Sequence, residues 1–167
     1  MEYTIDITSY CPHNCEYCST NASINGKHLS IEVIKDFLIN TSENDSINIS
    51  GGEPLSHPKF WDILQYCKSK TNDVWVYTNA LNQIRYNTSV LSEIQCEANV
   101  CLTPGKNVYI PQNAHKVHLL QLIPQGRAKN IKPIHIKLSG SDCGNCNHKV
   151  LQANGIIVDA PCKKEYN

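Results

Sequence analysis

The sequence predicts an α/β fold: an incomplete, open (β/α) barrel of about six parallel strands with few helices, followed by a short C-terminal β-hairpin. Three observations carry that expectation. Strand-type and helix-type periodicity alternate through the N-terminal half, the signature of parallel strands joined by crossover helices. The chain has 167 residues, whereas a closed eight-stranded barrel takes about 250, so closure is out of reach. Near the C-terminus, Asn154-Gly155 separates two apolar runs, and this dipeptide favours a two-residue type I′ hairpin turn.

Residues 3–8 alternate in strand fashion, and Ser30 stands as N-cap before a helix over 31–39 that sets Ile31, Ile34, Phe37 and Leu38 on one stripe. Ile47 and Ile49 mark a second strand ending in Gly51-Gly52-Glu53-Pro54. Behind Pro58, residues Phe60, Ile63, Leu64 and Cys67 recur at helical spacing. A third unit runs from Val74–Tyr77 into a weaker helix carrying Val90, Leu91 and Ile94, and a fourth strand follows, flanked by Cys96 and Cys101. Pro104, Gly105 and Pro111 then break the stretch where a fourth helix would be expected. Strands are predicted at 117–123 and 134–138, with 124–132 too short and broken for a crossover helix. Runs 149–153 and 156–160 form the hairpin; with Asn154 and Gly155 in the turn, Asn147 faces Cys162. The reading divides the chain into a partial barrel, 1–140, and a cysteine hairpin, 141–167.

Composition excludes several functions. With 15 basic and 15 acidic residues the formal net charge is zero, which is no footprint for nucleic acid or anionic lipid. No run approaches the ~20 apolar residues needed to span a bilayer, and Met1-Glu2-Tyr3-Thr4-Ile5-Asp6 carries neither a basic region nor an apolar one, so a cytoplasmic protein is expected. Nine cysteines in a reducing compartment point to metal ligation or catalysis before disulfides. Six of them fall into two groups, Cys11/Cys15/Cys18 and Cys143/Cys146/Cys162.

Cys11, Cys15 and Cys18 occupy the loop after the first predicted strand, where parallel α/β sheets place their chemistry. About 0.025 matches to C-x3-C-x2-C are expected by chance in this composition. Three thiolates can hold three corners of a cubane cluster and leave the fourth iron open to a chelating small molecule. A zinc site or three buried thiols is the alternative that spacing alone leaves open.

This C-x3-C-x2-C, with Tyr17 before its third cysteine and Gly51-Gly52-Glu53-Pro54 ending the second strand, resembles the radical SAM superfamily. The resemblance implies a [4Fe–4S] cluster on Cys11, Cys15 and Cys18 whose open iron is chelated by S-adenosyl-L-methionine, with Tyr17 near the adenine. It implies that backbone around Gly51, Gly52 and Glu53 receives the methionine amino group, and that Thr78 and Asn79 match a polar pair at the cofactor site. Reductive cleavage would then yield a 5′-deoxyadenosyl radical that abstracts hydrogen from a substrate, making the chain an oxidoreductase-type enzyme dependent on a low-potential electron donor.

The segment Cys143-Gly-Asn-Cys146 with Cys162 across the hairpin is similar to the auxiliary-cluster segment of twitch-type (SPASM-like) radical SAM enzymes, the molybdenum cofactor biosynthesis cyclase being the nearest comparison. It implies a second [4Fe–4S] cluster. The alternative is a structural zinc site in which His148, His135 or another thiol completes the ligand set. Cys67, on the apolar stripe of its helix, reads as core, as do Cys96 and Cys101, and His57 reads as part of a loop. Arg127 is balanced between holding a substrate anion and a solvated loop position. The expected substrate is a peptide or protein, a nucleotide or another small molecule. Two other functions stay open: a glycyl-radical activase of a partner protein, and a non-enzymatic iron–sulfur or zinc protein.

Overall fold

The computed structural model describes residues 1–78, 97–102, 116–121, 126–132 and 147–159. The chain divides into two compact units: Met1–Asn14, Thr20–Thr78 and Asp142–Asn167 form one, and Cys15–Ser19 with Asn79–Ser141 the other.

The first unit is built on a five-stranded sheet. β1 (Glu2–Asp6) pairs in parallel with β2 (Ser46–Ser50), which pairs in parallel with β3 (Val74–Val76). Parallel neighbours need a crossover, and α1 (Ile31–Phe37) and α2 (Phe60–Lys70) supply the two. The Ser30 hydroxyl accepts from the Val33 N–H at 3.4 Å, so the N-cap expected from sequence is in place. Of the stripe predicted for the first helix, Ile34 and Leu38 are buried and Ile31 and Phe37 half-buried, and the second helix buries Phe60, Ile63, Leu64 and Cys67 as its spacing predicts. These close over Tyr3, Ile5, Ile7, Ile47 and Ile49, all buried, and Tyr3 meets Phe37 edge-to-face at 5.6 Å.

Cys67 is fully buried, and desolvation pushes its thiol up to about 12. It is the core residue its helical stripe predicts. Because the thiolate is the nucleophile, iodoacetamide at about pH 8 is expected to leave Cys67 unmodified in the folded chain and to alkylate it after denaturation. Peptide mass mapping checks this, and modification in the native state would contradict the packing.

The opposite face of the sheet is also buried, but polar. Thr4, Asp6 and Asn48 are at most 8% exposed. Asn48 donates from Nδ2 to Glu2 Oε1 at 2.6 Å and to Thr4 Oγ1 at 3.3 Å, so the buried amide is satisfied within the face.

A further strand, β6 (His148–Leu151), which follows β4 (Glu97–Leu102) and β5 (Lys116–Gln121) in the chain, lies along the free edge of β1 in parallel, Glu2 opposite His148 and Ile5 opposite Leu151. β7 (Ile157–Val158) returns antiparallel, giving the order β3-β2-β1-β6-β7. The expected hairpin is present with a different register. Val150 faces Val158 and Leu151 faces Ile157, one residue off the two-residue-turn pairing. Gly155 N–H donates to Gln152 O at 2.8 Å and Gly155 takes φ 85°, while Gln152 N–H donates to Ile156 O. This is a three-residue connection with a bulge, and only the glycine is left-handed, whereas a type I′ turn would need both central residues there. The expected pairing of Asn147 with Cys162 rests on a two-residue turn, and Cys162 itself lies outside the described residues.

In the second unit β4 (Glu97–Leu102) pairs in parallel with β5 (Lys116–Gln121), Cys101 opposite Leu120, so Cys101 belongs to the strand rather than flanking it. Residues Gly126–Asn130 form a 3₁₀ turn in the stretch judged too broken for a helix. The helix expected around Val90–Ile94 and the strand expected at 134–138 lie outside the described residues. The fold is thus mixed α/β, with a mostly parallel five-stranded sheet and few helices. Among the described residues no helix is long and apolar enough to cross a membrane.

Candidate functional site

Past β1 the chain runs through Thr8, Ser9 and Tyr10 to Cys11 between two other segments. On one side Ile7 N–H donates to Ser50 O, Gly52 N–H to Thr8 O at 2.7 Å and Glu53 N–H to Tyr10 O at 2.9 Å, so the Gly51-Gly52-Glu53 segment extends the parallel ladder. On the other, Ser9 N–H donates to Lys27 O, Ser23 N–H to Ser9 O and Cys11 N–H to Ser23 O. The Thr8 hydroxyl, fully buried, bonds Lys27 O, accepts from Tyr10 N–H and meets His28 Nδ1 at 2.9 Å. The approach to Cys11 is thereby held from both edges.

Glu53 is fully buried. Its Oε1 accepts from Leu55 N–H at 3.1 Å, capping the short turn Pro54–Ser56, and from the Thr78 hydroxyl at 2.7 Å. Thr78, at the end of β3, is therefore bound to the motif glutamate. Glu53→Ala is expected to cost about 1–3 kcal/mol by stripping a buried N–H of its acceptor, whereas Glu53→Gln, which keeps an oxygen there, costs under about 1 kcal/mol. Thermal unfolding of the two variants checks the difference, and equal melting temperatures would remove the cap from the account.

His57 closes the same turn. Its Nε2 donates to Leu29 O at 2.9 Å and its Nδ1 accepts from Lys59 N–H at 3.0 Å, a neutral arrangement. Burial pushes its imidazole below the ordinary value, and its ring stands edge-on to His28 at 4.9 Å. Both nitrogens are committed to main chain, as the loop assignment from sequence requires.

At the C-terminal ends of β1, β2 and β6 lies a cavity of about 490 Å³, within the range of ligand pockets. Gly51 and Gly52 line it together with Asp6, Thr8, Lys27 and Gln152. Asp6, Thr8 and Gln152 are nearly or fully buried, and sequence reasoning did not single them out. A signal was present: Thr4, Asp6 and Thr8 occupy alternate positions on a parallel strand, whose two faces are both normally covered.

Cys11, Cys15 and Cys18 are all free thiols, Cys11 buried and the other two half-buried, and Cys18 N–H donates to Cys15 O at 3.2 Å. Cys11 belongs to the first unit and Cys15 and Cys18 to the second. Among the described residues no three His, Cys, Asp or Glu side chains are gathered as a metal site. Tyr17 is half-buried in the turn before Cys18. Arg127 is no solvated loop residue: it donates to the main chain of the cysteine segment. Asn79, Cys96, Cys143, Cys146 and Cys162 lie outside the described residues. His148, weighed as a fourth zinc ligand, has Nε2 bonded to Thr4 Oγ1 at 2.7 Å and Nδ1 3.6 Å from Glu2 Oε2, so both ring nitrogens are engaged in the sheet face.

The donor chemistry fits an iron–sulfur cluster: three cysteines within one short loop, none of them in a disulfide. A comparison with curated proteins found no match. The cysteine triplet, Gly51-Gly52-Glu53 and the strands β2 and β3 fall within residues 5–95, more than half of the chain, matched by the family model described as the radical SAM superfamily, and the chain belongs to that superfamily.

Proposed function

We propose that the protein is a radical SAM enzyme in which Cys11, Cys15 and Cys18 hold a [4Fe–4S] cluster with one open iron. When bound, the cluster supplies the electron that splits the sulfonium of S-adenosylmethionine, so that a 5′-deoxyadenosyl radical abstracts hydrogen from a peptide, nucleotide or other substrate. The observation that carries the reading is the family match over 5–95, which contains both the cysteine triplet and Gly51-Gly52-Glu53.

The chain's own part follows from its groups. The N–H groups of Gly52 and Glu53 are spent on Thr8 and Tyr10, so carbonyls of this segment are the groups that accept from the ammonium of the methionine end. The Glu53 carboxylate holds the backbone in position by binding Leu55 N–H and Thr78. The cavity beside Gly51 and Gly52 is suited to receive that same end, and the family resemblance assigns Tyr17 to the adenine and the pair Thr78 and Asn79 to the cofactor. The radical SAM partial barrel is assigned to residues 1–140, with β6 and β7 of 141–167 added at the edge of β1, and Cys143, Cys146 and Cys162 of that segment are assigned a second [4Fe–4S] cluster or a zinc ion. A low-potential donor in the cytoplasm supplies the electron.

Anaerobic reconstitution with iron and sulfide, followed by dithionite and S-adenosylmethionine, tests the reading. About eight irons per chain and 5′-deoxyadenosine are expected, or about four irons with zinc at the C-terminal cysteines. A metal-loaded chain that forms no deoxyadenosine would sink the enzymatic reading and leave a metal-binding protein. One deoxyadenosine per partner site would instead mark a glycyl-radical activase.

A further inference from the structure

The segment Gly126–Asn130 sits against the last two cysteines of the N-terminal loop within the second unit. Arg127 makes two bonds there. Its main-chain N–H donates to Cys18 O at 2.9 Å, and its guanidinium Nε donates to Cys15 O at 2.8 Å. One residue thus holds the carbonyls of two cysteines three apart, and Cys18 N–H donating to Cys15 O closes the turn between them. The approach leaves no room for a side chain at Gly126, whose φ is 55°: a Cβ would lie 2.7 Å from Ser19 O and 2.9 Å from Cys18 O. Ala128, in the same turn, is fully buried.

We propose that Arg127 is a positioning residue for the cysteine loop, fixing the main chain at Cys15 and Cys18 before iron arrives and setting a permanent positive charge against the Cys15 carbonyl. The guanidinium suits this because it stays charged at any working pH and its planar donors have fixed directions. Partners that orient ligands in this way typically change metal affinity 10–100-fold when removed. The inference rests on the proposed cluster reading for its metal arm alone.

The test compares parent, Arg127→Ala and Arg127→Lys in the full chain. In the chain without metal, hydrogen exchange at the Cys18 amide is expected to be at least about tenfold faster in Arg127→Ala. After reconstitution, Arg127→Ala is expected to release iron to a chelator about 10–100-fold faster and to have a lower reduction potential, since a cation near an anionic cluster favours the added electron. Arg127→Lys is expected to recover the potential and not the retention, because it keeps charge without the directed Nε bond. Parent-like exchange in Arg127→Ala, or parent-like release and potential, would overturn the proposal. If Arg127→Ala does not fold, as a thermal melt would reveal, Arg127→Lys carries the test: faster iron release upholds the proposal and parent-like release overturns it. A parent that takes up no iron, with exchange still faster in the variant, would bring down the cluster reading and leave the brace standing.

Discussion

Alanine in place of Cys15 is expected to lower deoxyadenosine formation at least about a hundredfold, to background, and to remove about four irons per chain. In the proposed site each thiolate would hold one corner of the cluster, and alanine offers no donor. Cys15 is the cleanest position because it is half-buried and its bonds to Cys18 and Arg127 run through its main-chain oxygen, which alanine retains. The melting temperature is therefore expected to stay at the parent's, separating lost ligation from lost folding. Cys11→Ala and Cys18→Ala should lose activity alike. Replacing Cys143, Cys146 and Cys162 together should leave deoxyadenosine formation and about four irons in place. Deoxyadenosine formation persisting in all three single variants would remove the loop from the chemistry.

Gly26→Ala and Gly52→Ala are expected to destabilise the fold by at least about 3 kcal/mol each, lowering the melting temperature by about 6–12 °C. The two glycines press on the Thr8–Cys11 segment from opposite edges. A Cβ at Gly26 would overlap the carbonyl of Ser9. One at Gly52 would overlap the Tyr10 carbonyl oxygen and lie 2.8 Å from its carbon and 2.9 Å from Ala22 Cβ. Backbone atoms on both sides cannot rotate away as a side chain would, so one edge must part. That would break bonds such as Gly52 N–H to Thr8 O or Ser23 N–H to Ser9 O, each worth about 1 kcal/mol, and strand their partners in a buried place. Gly155→Ala is the control, since a Cβ there meets nothing within 4 Å and only the left-handed backbone, at about 1–2 kcal/mol, opposes it. Calorimetry or circular-dichroism melts decide the matter: Gly26→Ala melting with the parent would mean that these segments do not close on one another.

What the sequence determined by itself was whatever depends on near neighbours along the chain. Ser30, Ile34 and Leu38 specify the first helix, and Phe60, Ile63, Leu64 and Cys67 the second, because a repeat of 3.6 residues is written in consecutive positions. The cysteine triplet and Gly51-Gly52-Glu53 were equally legible, since ligand spacing and close backbone approach each lie within a few residues. The tertiary structure alone decided what depends on segments far apart in the chain. Nothing local to His148–Leu151 says that it lies beside β1, so the sequence leaves His148 open as one of several candidates to complete a zinc site, whereas the structure sets Thr4 and Glu2 at its ring. The hairpin register turned on whether one residue or two would adopt the left-handed region, a difference too small for the dipeptide to settle. Asp6, Thr8 and Gln152 look like solvent-facing positions until parallel packing covers both faces of the sheet. Arg127 likewise acquires its role only because folding brings a turn more than a hundred residues away in sequence onto the carbonyls of Cys15 and Cys18. Helical periodicity is a property of neighbours, whereas burial, register and the partners of a polar side chain are properties of the contacts that folding creates.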